Sequence, residues 1–213
     1  MKLYDCLRAP NPRRVRWVMA EKAATDIEIV PVDILKGEHR TPEYVAATGV
    51  TSVPVLKLDD GTVITESIAI GRYLESIFPE PNLFGRDARE VAIVEMWMRR
   101  AEFLLAMPLM FSVRHSHPAF AALEEQVPEV AAANLSAVKL ALELFDRHLS
   151  GSPYIGSDRV TIADIVAFIS LDFARIVRFA PPPELVHLVC WSDVMRGRHA
   201  ATASIEAQVQ LDP

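Results

Sequence analysis

The chain has 213 residues, 51% of them hydrophobic, with 22 Lys and Arg against 28 Asp and Glu for a formal charge of −6. That length fits one large or two small domains with a substantial core, and the acidic balance argues against a general nucleic-acid binder. The two cysteines, Cys6 and Cys190, form no CxxC pair, no apolar run approaches the ~20 residues that span a bilayer, and the N-terminus has no long apolar block with a small-residue cleavage site; the expectation is a cytoplasmic protein with no disulfide framework, membrane span or secretory signal.

In chain order, Met1 to Cys6 reads as a short apolar strand. Pro10 to Lys22 reads as a helix, because proline is favoured at the first helical position. Val15, Val18 and Met19 share one face of it; Arg13, Arg14 and Arg16 lie largely elsewhere, as a solvated or ion-paired surface. Ile27 to Val32 is a second strand, and Thr41 to Ala47 a short helix or turn. Pro54 heads a third apolar strand, Val53 to Leu58, where its missing N–H is tolerated. Asp60-Gly61 signals a two-residue hairpin into a fourth strand, and Glu66-Ser67 opens a helix whose first N–H groups are unpaired and carry partial positive charge. A backbone edge at Val53 beside that helix start suits a short peptide held at both ends.

Phe78 to Arg86, with two prolines, an Asn and a Gly, is punctuated as a linker. The division is 1–79, a linker at 80–86, and an all-helical 87–213. Asp87 to about Arg114 reads as one long helix that Pro108 kinks or splits, followed by a loop at HSHPAF (115–120). Val127 to Leu149, Thr161 to Val177 and Glu184 to His199 are further helices, with Pro181 to Pro183 as a stop. The tail from Ala200 reads as short and only partly helical. Thr161 with Asp164 is a capping box, a structural signal. His115 and His117 have no third ligand nearby, so no metal is assigned.

The stretch VPVLKLDDGTVITESIAIGRYL (53–74), the opening MKLYDCLRAPNPRRVRWVMAEK and the order β-α-β-α-β-β-α together resemble the cytosolic glutathione transferases. The likeness covers the whole chain: an N-terminal thioredoxin-like domain followed by a C-terminal helical bundle. It implies glutathione as co-substrate, a small hydrophobic electrophile, a homodimer and a role in detoxification, with no nucleic acid or membrane partner. It implies a cis Val53-Pro54 bond, with Val53 offering its backbone to the cysteinyl part of glutathione. Ser67 takes the γ-glutamyl carboxylate, Glu66 its ammonium, and His39 or Lys36 the glycyl carboxylate. It further implies an electrophile pocket lined by Leu7, Ala9, Phe103, Met107, Met110 and Arg114, although such a stripe on a helix also suits a core. Met96, Arg99, Arg100 and Glu102 lie on the helix expected at the dimer interface.

Glutathione reacts as a thiolate. Lowering a thiol pKa of ~8.5 by ~2 units takes roughly 2.7 kcal/mol, within reach of a helix N-terminus plus one donor. Many bacterial members have Ser or Thr before Pro-Asn, whereas this chain has Ala9, which cannot donate. Asn11 is the favoured donor, with Arg8, Cys6 and free backbone N–H groups as the other candidates and a plain helix cap as Asn11's structural role. Tyr4 reads as packed, and Cys6 as a small buried strand residue with an option on a mixed disulfide. The leading function is thiolate transfer to an electrophile. Glutathione-dependent disulfide or peroxide reduction and a non-catalytic glutathione-binding module are the alternatives.

Overall fold

The computed structural model describes residues 1–206. The chain forms two compact units: residues 1–81 together with the segment from His199, and residues 82–198.

The first unit is a sheet with helices. Strand β1 (Lys2–Asp5) leads to helix α1 (Pro10–Glu21), β2 (Glu28–Pro31), α2 (Pro42–Thr48), the hairpin β3 (Val55–Lys57) and β4 (Val63–Thr65), and α3 (Ser67–Ile77). Among the described residues the sheet order is β2-β1-β3-β4. β1 and β2 are parallel, and β3 is antiparallel to both β1 and β4. This is the thioredoxin-like β-α-β-α-β-β-α order. Leu3, Val15, Trp17, Val18, Val55, Leu56, Ile70 and Leu74 form its buried core.

The hairpin differs from the two-residue turn expected at Asp60-Gly61. The Leu58 N–H donates to the Thr62 carbonyl (2.8 Å) and the Gly61 N–H to the Leu58 carbonyl (3.0 Å). The loop is therefore three residues, Asp59 to Gly61, with Gly61 at φ +89°. A type I turn closed by a left-handed glycine is the usual three-residue solution. The start of this unit's linker side is pinned by buried Lys22, whose ammonium donates to the carbonyls of Phe78 (2.7 Å) and Pro81 (2.9 Å).

The arginines of α1 do not form a solvated face. Arg14 and Arg16 are buried, and Arg16 is ion-paired with Asp5. Helix α9 (His199–Glu206) lies in this same unit, and two arginines of α1 grip it. Arg16 Nε donates to the Ser204 carbonyl (2.8 Å), and Arg13 reaches Ser204 Oγ and the Ala201 carbonyl (both 3.4 Å). A charged guanidinium donor makes a stronger bond to a carbonyl than a neutral donor does. Residues 207–213, the rest of the expected partly helical tail, lie outside the described residues.

The second unit is helical: α4 (Ala88–Arg100), a π-helical segment (Ala101–Ala106), α5 (Met107–Arg114), α6 (Pro128–Leu149), α7 (Ile162–Ala174) and α8 (Val186–Arg196). Where Pro108 is expected to kink or split the helix, the backbone stays helical from α4 to α5 and changes to a π segment in the turn before the proline. Pro108 lacks an N–H, and its ring crowds the preceding turn; a widened turn just before it relieves both conflicts. A single 3₁₀ turn, Pro118–Phe120, interrupts the 115–120 loop.

Helix α7 is buried on every side from Ile162 to Leu171. Its start carries the capping box. Asp164 accepts from the Thr161 N–H (3.0 Å), Thr161 Oγ1 (2.9 Å), the Ile155 N–H (2.8 Å) and Trp191 Nε1 (3.0 Å). Burial pushes its carboxyl up, and these donors pull it back. Across the described residues no helix is long and apolar enough to cross a membrane.

Candidate active site

The sheet register gathers the expected site residues at one end of the first unit. β3 and β4 pair Val55 with Thr65, so Val53 and Ser67 lie two residues beyond that pair on either side. β1 pairs Tyr4 with Val55, and β2 pairs Pro31 with Asp5. The loops after Asp5 and after Pro31 therefore leave from the same end. Four segments meet there: 6–9, 32–41, 49–54 and 66–67.

Val53-Pro54 is cis, as the resemblance implies. The Val53 N–H and C=O have no hydrogen-bond partner among the described residues. An unpaired donor and acceptor on one extended residue is an edge that can add a short strand of peptide. The loop before it is held by Tyr44, whose phenol donates to the Ser52 carbonyl at 2.6 Å. Burial pushes that hydroxyl up to about 12, so it stays protonated. Tyr4 packs edge-on against Tyr44, with ring centroids 5.8 Å apart.

Glu66 caps α3 with φ +67° and ψ +119°, a backbone region that side-chain-bearing residues avoid. Its carboxylate is exposed and unpartnered among the described residues. Ser67 is buried at the first helical position, and Arg14 Nη1 reaches its Oγ at 3.5 Å. The buried Arg14 cation adds to the positive end of α3, where an incoming carboxylate is favoured. Sequence reasoning missed Arg14; the only signal was three arginines in a helix otherwise rich in core residues.

Lys36 and His39 lie on the loop after β2. Asp33 shapes that loop by accepting from the Leu35 (3.0 Å) and Lys36 (3.2 Å) N–H groups, and these bonds, the Lys36 one foremost, hold its carboxyl below the usual range. Lys36 is exposed, 3.4 Å from Asp33 Oδ2. His39 is buried, and its Nδ1 has no partner among the described residues. Burial, reinforced by the Arg40 charge, lowers its pKa and favours the neutral ring.

The loop into α1 is a tight turn, in which the Ala9 N–H donates to the Cys6 carbonyl at 3.0 Å. Cys6 is buried. Arg8 is exposed, and neither its side chain nor the Asn11 amide bonds to another described residue. Asn11 thus has donors to offer and is not occupied in capping α1, whose N-cap is Ala9 with no side-chain bond.

In the helical unit, Phe103 is 56% and Met107 47% exposed, and Met110 is half-buried. Arg114 is ion-paired with Glu124. His115 and His117 each accept a backbone N–H at Nδ1, from Val127 and Ala119.

Known proteins supply an independent comparison. Residues 9–77 match the family described as glutathione S-transferase, N-terminal domain, and residues 101–198 match its C-terminal domain. Glutathione S-transferase 2 of Saccharomyces cerevisiae is 33% identical over 209 residues, covering 97% of this chain and 90% of that protein. Crystal structures agree: yeast Gtt2 superposes with a TM-score of 0.89 at 32% identity, covering 96% of this chain and all of that one. A glutathione S-transferase domain-containing protein of Marinobacter aquaeolei gives 0.87 at 35%, covering 94% and 99%. The chain belongs to the glutathione S-transferase family.

Proposed function

We propose that this protein activates glutathione as a thiolate and transfers it to small hydrophobic electrophiles. The observation that carries this reading is the unpaired backbone of Val53 at the same sheet end as the Glu66-Ser67 helix start. Val53 pairs with the cysteinyl backbone. Ser67, the free N–H groups of α3 and nearby Arg14 hold the γ-glutamyl carboxylate, and exposed Glu66 meets the ammonium. Lys36 or His39 binds the glycyl carboxylate. Asn11, Arg8 and free backbone N–H groups of the loop stabilise the sulfur anion where Ala9 supplies no hydroxyl.

Within the helical unit, Phe103 and Met107 offer exposed apolar surface suited to a hydrophobic electrophile, with half-buried Met110 beside them in sequence. Such a surface selects by shape and only weakly per methylene. The names of its relatives support the transferase class. The protein acts as a homodimer in the cytoplasm, where free thiols such as Cys6 and Cys190 persist.

Ala9 favours a second reading, a glutathione-binding module without turnover. Glutathione-resin binding beside turnover of a chloronitrobenzene separates the two. The transferase reading expects both. Binding without turnover favours the module, and turnover of a mixed disulfide alone favours a reductase. No binding at all contradicts every version.

A further inference from the structure

Arg16 is 3% exposed, and its guanidinium meets three different segments of the first unit. Nη1 is paired with Asp5, at the end of β1. Nη2 donates to the Leu7 carbonyl at 2.8 Å, and Nε to the Ser204 carbonyl in α9 at 2.8 Å. No charge is needed for a helix face to be buried. Desolvation works against both ions, pushing Asp5 up and Arg16 down in pKa, and a buried pair of this kind is weak evidence for stability. Its geometry has a more specific consequence.

The Leu7–Arg8 peptide is trans, so its N–H points opposite to its C=O. With the Leu7 carbonyl turned in to Arg16, the Arg8 N–H is turned away from it. Between residues 8 and 13 the other backbone donors are largely committed or missing. Ala9 N–H bonds Cys6, Arg13 N–H bonds Ala9, and Pro10 and Pro12 have none. The Arg8 and Asn11 N–H groups have no partner among the described residues.

We propose that Arg16 is a positioning residue for thiol activation: it locks the Leu7–Arg8 peptide so that the Arg8 N–H is presented to the glutathione sulfur, replacing the hydroxyl that Ala9 lacks. The proposal rests on the transferase reading above. Arginine is required because three acceptors at fixed angles need a planar fork; lysine keeps the charge opposite Asp5 but has a single donor centre.

The test is Arg16→Lys, read by the thiolate absorbance of bound glutathione against pH, by kcat, and by glutathione affinity. The thiol pKa is expected to rise by about 1 unit and kcat at neutral pH to fall on the order of tenfold, in step with the thiolate fraction. Affinity stays within about threefold, because the γ-glutamyl and backbone contacts are untouched. A folded Arg16→Lys protein with wild-type thiol pKa and kcat overturns the proposal. The wild-type protein provides a check that needs no variant: the Arg8 amide exchanges freely with solvent alone and gains protection and a shifted nitrogen resonance with glutathione. An Arg8 amide unaffected by glutathione also overturns the proposal, even where Arg16→Lys does not fold. Failure of either, with wild type still forming the thiolate, removes Arg16 only; a wild type that binds no glutathione removes the transferase reading itself.

Discussion

Glu66 holds a backbone geometry, φ +67° and ψ +119°, that costs about 1–3 kcal/mol for a residue with a side chain. Glycine relieves that strain at an entropic cost of roughly 0.5–1 kcal/mol. Glu66→Gly is therefore expected to melt at the wild-type temperature or a few degrees above it while binding glutathione more weakly. A drop of several degrees in calorimetry would mean that the geometry is not strained. Ser67→Ala tests the neighbouring contact: a charge-assisted bond worth roughly 1.5–3 kcal/mol predicts at least a tenfold loss of affinity by titration calorimetry with the fold intact. The strand after Pro54 and the helix start at Ser67 were legible in the sequence because a proline heading an apolar run and a polar pair before a helix are local patterns; the three-residue turn and the Glu66 backbone were not. The burial of Arg14 and Arg16 was not: charge gives no sign of a partner 53 or 188 positions away.

At the scale of elements, the start of helix α7 is organised around one side chain, Asp164. Asp164→Ala leaves the Ile155 N–H, the Thr161 N–H and the Trp191 indole N–H without their acceptor inside the core. A loss of about 3–5 kcal/mol is expected in urea unfolding, by analogy with a broken buried pair; a loss under about 1 kcal/mol would contradict the assignment. The capping box was readable because Thr-x-x-Asp before an apolar run is a local pattern. The π segment was not, since the proline marks where a helix is disturbed but not how the turn before it adapts.

The helical unit also has a pH signature. Arg159 Nη2 donates to Glu90 Oε2 at 3.1 Å, and Ser157 adds a second contact to that carboxylate. Arg159 foremost pulls the Glu90 carboxyl from an ordinary 4.5 down to about 2. The unfolded chain then binds the proton first as pH falls, so this contribution is present above about 4.5 and lost towards about 2. The stability gap between wild type and Glu90→Gln should be full at neutral pH and close across that window. A gap that does not change with pH would show that Glu90 acts through packing alone.

For the whole molecule, assembly is the first test. Met96 is 41% exposed on α4 and Arg99 pairs with Glu95 and Glu102 along the same surface. Light scattering at micromolar protein is expected to give about twice 23.7 kDa. A monomer that turns over would show that catalysis needs no partner.

The central claim is activation of the glutathione thiol by a loop without a hydroxyl. The most direct measurement follows thiolate absorbance of the wild-type glutathione complex against pH, beside Asn11→Ala. The account predicts a wild-type midpoint about 2 units below the free thiol's ~8.5 and a higher midpoint in Asn11→Ala, with turnover falling more than affinity. An unshifted Asn11→Ala titration would move the role to the Arg8 side chain, Cys6 or the backbone N–H groups, while a wild-type complex with no thiolate near neutral pH would contradict the transferase account.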